Sequence, residues 1–271
     1  MQDRMTFTDQ MNRTIQVSFP PKRIVSLVPS QTELLYDLGL EEEVVGITKF
    51  CVHPNEWYRN KTRVGGTKKY KMDKIEALQP HLIIGNKEEG HEERVKKLMD
   101  DYPVWMSDVY TLADALDMIK RVGALVDRER NARQLAEHIR LSFNDLPSLS
   151  PLSVAYFIWR EPYMVAGSNT FIDHVLTQLG LTNVYGNQPR YPSTTFAELA
   201  ARQPDLIFLS SEPYPFGDKH FDEFQQACPD ATIKLVDGEF FSWYGSRLQK
   251  AVLYFNELAS SIEASSDHPE V

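Results

Sequence analysis

The feature that most constrains the fold of this chain is a set of short apolar runs that alternate with stretches of helical spacing. Near-continuous runs rich in β-branched residues are typical of parallel strands that are buried on both faces. Their alternation with helices predicts an α/β fold with central parallel sheets covered by helices. The runs are residues 23–28, 82–84, 104–106, 154–158, 206–209 and 233–236.

Two short phrases recur in the same order in the two halves of the chain. Residues 35–40 and 176–181 both end in Leu-Gly-Leu, and residues 79–83 and 203–207 both read Gln-Pro-x-Leu-Ile. Either phrase alone is common, but the shared order indicates an internal repeat. The sequence therefore predicts two related, Rossmann-like α/β lobes.

A helical segment at residues 110–146 links the predicted lobes, which are residues 1–109 and 147–271. Its apolar residues recur near helical spacing, and one continuous helix would span roughly 50 Å at ~1.5 Å per residue. The alternative is two helices broken near Gly123 or Asp127. We favour one long helix, because a glycine inside a helix costs only about 1 kcal/mol. A rod of this kind predicts a nearly preformed cleft between the lobes.

The first helix is preceded by a hydroxyl and a carboxylate at the spacing of a capping box. Ser30 stands three residues before Glu33, and a leucine-rich stretch follows that ends at Gly39. In a capping box the hydroxyl and the carboxylate satisfy free N–H groups at the start of the helix. The spacing predicts a helix that Ser30 caps and that ends at the glycine.

The loops after the predicted strands are the expected place for a ligand, because open α/β sheets bind ligands at the carboxyl ends of their strands. These loops are rich in aromatic rings, which could cover a flat ligand, and in polar groups that could hold its edges. A single loop aromatic is usually packing, but the four in residues 240–244 exceed what one turn normally buries. The candidate ligand-binding residues are Pro29, Ser30, Cys51, His53, Trp159, Arg160, Glu212, Tyr214, Phe241, Trp243, Tyr244 and Arg247.

Cys51 and His53 are two residues apart, so in an extended segment both side chains would face the same way and could hold one metal ion. His53 alone could also be an axial ligand to a metal held in a macrocycle. A buried free thiol and a turn histidine before Pro54 is the interpretation that we favour. The metal-binding interpretation leads to the alternative function, a cytoplasmic metal- or tetrapyrrole-handling protein or enzyme.

Other function classes find little support in the sequence. No Gly-x-Ser-x-Gly, His-Glu-x-x-His or Gly-x-Gly-x-x-Gly motif is present, which argues against an enzyme. The net charge of -9 disfavours nucleic-acid binding. Residues 1–5 show no basic, apolar or cleavage region of an export signal. Two locations therefore stay open, the cytoplasm or, for a chain that lacks its export segment, the cell exterior.

The residues resemble the helical-backbone periplasmic substrate-binding proteins of ABC importers for cobalamin, haem and ferric siderophores. The resemblance rests on residues 19–27, 32–35, 64–66 and 75–84, covers nearly the whole chain, and is closest to the cobalamin-binding branch. It implies two lobes bridged by a helix, with a corrinoid or another metal chelate held between them and little closure. It also implies an exterior location, no intrinsic cofactor and no catalysis. We expect a monomer.

The same resemblance implies docking to a transporter permease through one surface carboxylate on each lobe. Asp73 matches the first position, whereas the second falls on Ala197, one residue before Glu198. Asp73 and Glu198 are therefore the docking candidates. The chain departs from the cobalamin branch at His53, which stands before a proline where that branch carries an aromatic residue.

Overall fold

The computed structural model describes residues 3–67, 69–90 and 92–266, which fall into two compact units. Met1 and Gln2 lie outside these ranges. The N-terminal unit comprises Met1–Val109, Ala113–Arg140 and Tyr244–Arg247. The C-terminal unit comprises Tyr110–Leu112, Leu141–Trp243 and Leu248–Val271. The three-part division expected from the sequence stays a prediction.

The N-terminal unit is built on a parallel sheet with the strand order β5-β4-β3-β8-β9. Val25, Ile83 and Val104 lie in its core, as expected for strands covered by helices. The strands are β1 (Arg4–Thr8), β2 (Thr14–Ser18), β3 (Ile24–Ser26), β4 (Val44–Ile47), β5 (Thr62–Arg63), β6 (Gly65–Gly66), β7 (Lys69–Tyr70), β8 (Leu82–Asn86) and β9 (Val104–Ser107). The helices are α1 (Pro29–Asp37), α2 (Asn55–Asn60), α3 (Met72–Leu78), α4 (Glu92–Asp101), α5 (Leu112–Leu125) and α6 (Glu129–Ser142), which a short 3-10 helix (Phe143–Asp145) follows.

The C-terminal unit has a second sheet in the order β11-β10-β13-β14, in which β12 also pairs with β10. Its pairings are parallel except for that of β11. The strands are β10 (Ser153–Trp159), β11 (Met164–Val165), β12 (Thr182–Asn183), β13 (Leu206–Ser210) and β14 (Thr232–Val236). The helices are α7 (Phe171–Gln178), α8 (Phe196–Arg202), α9 (Phe221–Ala227), α10 (Gly238–Ser242) and α11 (Leu248–Ser266), with a 3-10 helix (Asp218–His220) before α9.

The internal repeat of the sequence corresponds to a repeat of topology. Four parallel strands in each unit lie in matching order, β4-β3-β8-β9 in one and β12-β10-β13-β14 in the other, and the N-terminal sheet has the additional strand β5 beside β4. The α/β class with central parallel sheets is thus confirmed.

The repeated phrases mark helix ends with the same backbone conformation. Gly39 after α1 has φ 78°, and Gly180 after α7 has φ 74°. Gln79 and Gln203, at the ends of α3 and α8, are left-handed as well, with φ 43° and 47°. Glycine adopts this conformation without a steric penalty. The repeated phrases therefore mark positions where a helix ends and the chain turns toward the next strand.

The prediction of one long linking helix is wrong. The segment forms α5 and α6, which are separated at residues 126–128, where Asp127 has φ 59° and Arg128 N donates to Gly123 O at 2.7 Å. A Cβ on Gly123 would lie 2.1 Å from Ala132 Cβ, so the glycine lets the start of α6 pack against the end of α5. Gly123 therefore allows two helices to pack closely and is not a residue inside one continuous helix. A rigid link between the units cannot be inferred from one long helix.

The predicted capping box at the first helix is also wrong. Helix α1 begins at Pro29, and Val28 at its N-cap position supplies no side-chain hydrogen bond. Proline favours the first helical position because its φ is already helical and its missing N–H is not needed there. The helix therefore starts before Ser30, whose buried side chain lies inside the first turn.

The structure also bears on membrane association. Within the described ranges, no helix combines the length and the apolar character that a membrane crossing requires.

Candidate functional site

The strand ends of the N-terminal sheet carry buried polar side chains that bond to one another. Asn86 Nδ2 at the end of β8 donates to Ser107 Oγ at the end of β9 at 3.0 Å, and Gln31 Nε2 donates to the same oxygen. Thr32 Oγ1 lies 2.7 Å from Ser26 Oγ at the end of β3. These neutral groups satisfy part of each other's bonding capacity, which holds this edge in place, while Gln31 Oε1 is buried without a hydrogen-bond partner among the described residues. Lys87 and Asp108, which directly follow β8 and β9, form an ion pair at 2.7 Å.

Cys51 lies in this polar cluster and not at its surface. The thiol is fully buried, and its Sγ lies 3.1 Å from both Thr32 Oγ1 and Thr48 Oγ1. Burial raises the pKa of the Cys51 thiol to about 11, which disfavours the thiolate that a metal would need. His53 is only partly buried, so the two side chains have different environments. Across the described ranges, no group of three or more His, Cys, Asp or Glu side chains could hold a metal ion.

Sequence reasoning missed Phe50, which precedes Cys51 in the loop after β4. Its side chain is 49% exposed, and Lys49 Nζ lies 4.8 Å from its ring centroid. Phe50 therefore presents an aromatic face at the carboxyl edge of the N-terminal sheet. The sequence carries a signal for it, because Phe50 directly precedes the candidate residue Cys51.

Arg247 and Tyr244, two predicted ligand-binding residues in the loop after α10, make contacts within the N-terminal unit. Arg247 forms a bidentate ion pair with Glu33, with Nε to Oε2 at 2.9 Å and Nη2 to Oε1 at 3.0 Å. The two side chains are only 12% and 13% exposed. Tyr244 is buried, and burial raises the pKa of its hydroxyl well above the ordinary value. A Cβ on Gly245 would lie 2.5 Å from Ser30 O, so the close approach requires glycine.

The C-terminal unit presents a pair of aromatic side chains, the exposed Trp159 and the partly buried Tyr214. Trp159 ends β10 and is 39% exposed, and Tyr214 lies in the loop after β13. Their ring centroids are 5.9 Å apart at 70°, a favourable edge-to-face geometry. The ring of Tyr214 also packs against that of Phe216, with centroids 4.8 Å apart. The pair therefore forms a rigid apolar surface at the carboxyl edge of this sheet.

Arg160, which follows Trp159, has its charge neutralised within the C-terminal unit. Its Nε and Nη2 each lie 3.1 Å from the carboxylate oxygens of Glu223, and Nη1 lies 2.8 Å from Glu161. The hydrogen bonds to Glu223 and Tyr163 raise the pKa of Arg160 further. Arg160 is therefore an ion-pair partner that supports the loop, and it offers little free positive charge.

The aromatic run at residues 240–244 differs from the expected open loop, since most of it is helix α10. Phe241 is fully buried, with ring centroids 5.0 Å from those of Tyr156 and Phe255. A ligand has no access to a ring in this position. Trp243 is nearly buried too, and its Nε1 donates to Glu212 Oε1 at 2.8 Å. This burial favours packing as the role of Phe241 and Trp243, and a ligand contact by either side chain stays a prediction.

Glu212 lies beside Trp243, in the loop after β13. Ser242 Oγ donates to the same Oε1 at 2.9 Å. Burial, which outweighs these two hydrogen bonds, raises the pKa of the Glu212 carboxyl. Of the polar residues predicted to bind ligand in this unit, Glu212 is the one without an oppositely charged partner among the residues the structure describes.

A second feature missed by sequence reasoning is Arg190, in the loop after β12. Its guanidinium carbon lies 5.6 Å from the ring centroids of both Tyr110 and Tyr191, a cation–π arrangement. Arg190 N donates to Ser168 O at 2.7 Å, which fixes the loop against residues that follow β11. Tyr110 is far from Arg190 and Tyr191 in the chain, so the sequence shows only the adjacent Arg190 and Tyr191 together.

The two docking candidates differ in their surroundings. Asp73 is exposed in the first turn of α3. Glu198 closes a capping box at α8, where its Oε2 accepts from Thr195 N at 3.0 Å and its own N donates to Thr195 Oγ1 at 3.2 Å. Glu198 is exposed, but its carboxylate caps its own helix. For Asp73, no capping hydrogen bond is found among the described residues.

The chain is similar in sequence to proteins of a known family. The profile of the family described as "Periplasmic binding protein" matches residues 24–231. An uncharacterized ABC transporter substrate-binding lipoprotein of Bacillus subtilis (strain 168) is 25% identical over 272 residues, which cover 95% of this chain and 85% of that protein. A vitamin B12-binding protein of Vibrio campbellii is 24% identical over 198 residues, 70% of this chain and 71% of that protein.

Among solved structures, the molybdate periplasmic binding protein of Haemophilus influenzae has a TM-score of 0.77. The match covers 98% of this chain and 94% of that chain at 14% sequence identity. A likeness at this identity concerns the fold alone. A shared fold does not by itself identify a ligand.

Proposed function

Because the chain belongs to the periplasmic binding protein family, a family of solute carriers and not of enzymes, we propose that it is the substrate-binding component of an ABC-type importer. We propose further that its ligand is a cobalamin-like corrinoid, with haem or a ferric siderophore as the next candidates. The ligand is cargo that is bound and released, not an intrinsic cofactor. The likeness to a vitamin B12-binding protein supports this proposal.

The observation that carries the ligand proposal is the exposed ring of Trp159, which packs edge-to-face on the partly buried Tyr214. A tryptophan that is 39% exposed and braced by a second ring is suited to cover the face of a large, flat ligand. Phe50 supplies a second aromatic face on the N-terminal unit. A small oxyanion has no face to cover, so exposed rings of this kind favour a large chelate over an ion such as molybdate.

The charge distribution supports the same ligand class. Arg160 and Arg247, the two guanidinium groups predicted to bind ligand, are paired with Glu223 and Glu33 inside their own units. Paired guanidinium groups offer little free positive charge to an anionic ligand. A ligand with an apolar ring and mostly neutral edges fits these surroundings better than a highly charged one.

The metal-handling alternative is not favoured by any observation. The buried Cys51 thiol, with its raised pKa of about 11, is unsuited to ligate a metal. Elemental analysis of Cys51→Ala and His53→Ala tests this point. We expect both variants to have the metal content of the wild type. Loss of bound metal in either variant would revive the alternative.

An absorbance titration tests the ligand proposal. Cyanocobalamin, haemin and a ferric siderophore each change their visible spectrum when their surroundings change, and we expect a saturable change with cyanocobalamin. Trp159→Ala should weaken binding at least tenfold, whereas Leu253→Ala, which removes a strongly exposed apolar side chain of α11 in the same unit, should leave it unchanged. No spectral change with any of the three ligands would refute the proposal.

We also propose that the protein works outside the cytoplasmic membrane and that Asp73 contacts the permease. The likeness to a substrate-binding lipoprotein of an ABC transporter supports this partner and location. Asp73→Ala is expected to lower ligand uptake by the cognate importer without changing ligand affinity. Glu198→Ala should have a mixed effect, because it also removes a helix cap worth about 1 kcal/mol. Unchanged uptake by the Asp73 variant would exclude the docking role.

A further inference from the structure

The backbone around Glu212 holds its carboxylate in one place. Ser210 Oγ donates to Glu212 O at 2.6 Å, and Tyr156 OH donates in turn to Ser210 Oγ at 3.2 Å. A Cβ on Gly238 would lie 2.3 Å from Ser210 Oγ and 2.8 Å from Glu212 Cγ. Glu212 therefore fits only because residue 238 has no side chain. Its carboxylate is a fixed feature of the C-terminal unit, unlike a mobile surface acid.

The two oxygens of this carboxylate are used unequally. Oε1 accepts hydrogen bonds from Ser242 Oγ and Trp243 Nε1, at 2.9 and 2.8 Å. Among the residues that the structure describes, no group donates to Oε2, and no Lys, Arg or His is paired with the carboxylate. A carboxylate has capacity for about four hydrogen bonds, so about half of the capacity of Glu212 is unused.

The charged groups nearest to Glu212 are also acids. Glu239 and Asp237, at the start of α10, act on its carboxyl together with burial, and all three raise its pKa. The local field is therefore negative. A carboxylate brought to this place by a ligand would meet like charge, whereas a neutral N–H group would gain a charge-assisted hydrogen bond.

We propose that Oε2 of Glu212 accepts a hydrogen bond from the ligand and thereby selects a chelate whose edge carries neutral N–H donors over one whose edge carries carboxylates. A corrinoid with primary amide side chains belongs to the first class, and haem with its propionates belongs to the second. The inference rests on the proposed function and deepens it, because it assigns a specificity-determining residue to the C-terminal unit.

The test compares two ligands that share one ring system. Cyanocobalamin carries side-chain amides, and its mild hydrolysis products carry carboxylates in their place. Titration calorimetry gives the ratio of the two affinities for the wild type, for Glu212→Gln and for Glu257→Gln. Glu257 is exposed on α11 in the same unit, so its variant controls for the loss of one negative charge. Glutamine keeps an oxygen for Ser242 and Trp243 but places an N–H₂ group where Oε2 was.

We expect the wild type to prefer the amide form, by roughly tenfold or more for one hydrogen bond to a charged group. Glu212→Gln should lower this ratio at least tenfold, both by weakening amide binding and by strengthening carboxylate binding. Glu257→Gln should leave the ratio unchanged. An unchanged ratio in a Glu212→Gln protein that still binds both ligands would overturn the inference.

The wild type provides an independent test that needs no variant. If it binds both forms equally, or prefers the carboxylate form, the role assigned to Glu212 is wrong even if Glu212→Gln does not fold. If the wild type binds neither corrinoid form, the proposed corrinoid ligand is wrong, and the failure then lies with the proposed function and not with the role of Glu212. The failure of the inference and the failure of the proposed function are therefore distinguishable.

Discussion

The two units share a strand order but differ in what they place at the carboxyl edges of their sheets. In the N-terminal unit, neutral side chains such as Asn86 and Ser107 bond to one another, and Arg247 is locked to Glu33 in a nearly buried pair. In the C-terminal unit, Trp159 is exposed and Glu212 lacks a countercharge among the described residues. The repeated topology thus has two different edges, one whose named polar groups bond mainly to each other and one that carries an exposed ring and a carboxylate without a countercharge.

This difference separates stability from recognition. Groups that already satisfy each other contribute to the fold, and removing one leaves its partner unsatisfied. Groups with an exposed face or an unused oxygen gain most when a ligand arrives. We therefore expect substitutions at the N-terminal edge to lower stability first, and substitutions at the C-terminal edge to lower ligand affinity first.

The largest expected effect separates the two predicted ligand-binding arginines. Arg247→Ala should lower the free energy of unfolding by about 3–5 kcal/mol, because it leaves the Glu33 carboxylate nearly buried and unpaired. Arg160→Ala should lower it much less, because the Arg160 and Glu223 side chains are 31% and 26% exposed and solvent screens their pairing. Urea unfolding of both variants measures the difference. Equal losses would show that the two edges do not differ in this way.

The next effect concerns ligand affinity and compares the aromatic faces of the two units. Trp159→Ala should weaken cyanocobalamin binding by about 2 kcal/mol, the usual loss at a central aromatic anchor. Phe50→Ala should cost about 1 kcal/mol, because its ring is smaller and no second ring is recorded against it in the described residues. Neither variant should change the midpoint of thermal unfolding by more than a few degrees. A larger loss at Phe50 than at Trp159 would assign recognition mainly to the N-terminal unit.

The smallest effect is a pH dependence of stability that arises from Glu212. Burial raises the pKa of this carboxyl in the folded protein, so its ionisation opposes folding once the pH is above that pKa. At pH 7, Glu212→Gln should therefore be as stable as the wild type or more stable, by about 1 kcal/mol or less. The difference should vanish as the pH falls below about 4, where both folded and unfolded wild type carry the neutral acid. Urea unfolding at pH 4 and pH 7 gives both values. A variant that is less stable at pH 7 would show that the two hydrogen bonds to Oε1 outweigh burial.

The sequence predicts the elements of this fold well, because their signals are local. The apolar runs correspond to strands β3, β8, β9, β10, β13 and β14, since a strand buried on both faces has few polar alternatives. Gly39 and Gly180 mark helix ends, since few other residues tolerate their positive φ.

The parts that the sequence did not predict depend on contacts between distant residues. Arg247 and Glu33 are 214 positions apart, and Arg160 and Glu223 are 63 positions apart. No local pattern distinguishes an arginine that will be paired in this way from one that will meet a ligand. The break at Asp127 likewise depends on the contact between Gly123 and Ala132, which exists only after α6 has folded back.

Titration calorimetry with cyanocobalamin at neutral pH tests whether the chain binds a corrinoid-type chelate non-covalently. We expect the heat of binding to saturate at one ligand per chain, with a dissociation constant of about 1 μM or lower, equivalent to a binding free energy of about -8 kcal/mol. The absence of heat at ligand concentrations a hundred times higher, from a protein whose thermal unfolding is cooperative, would contradict it.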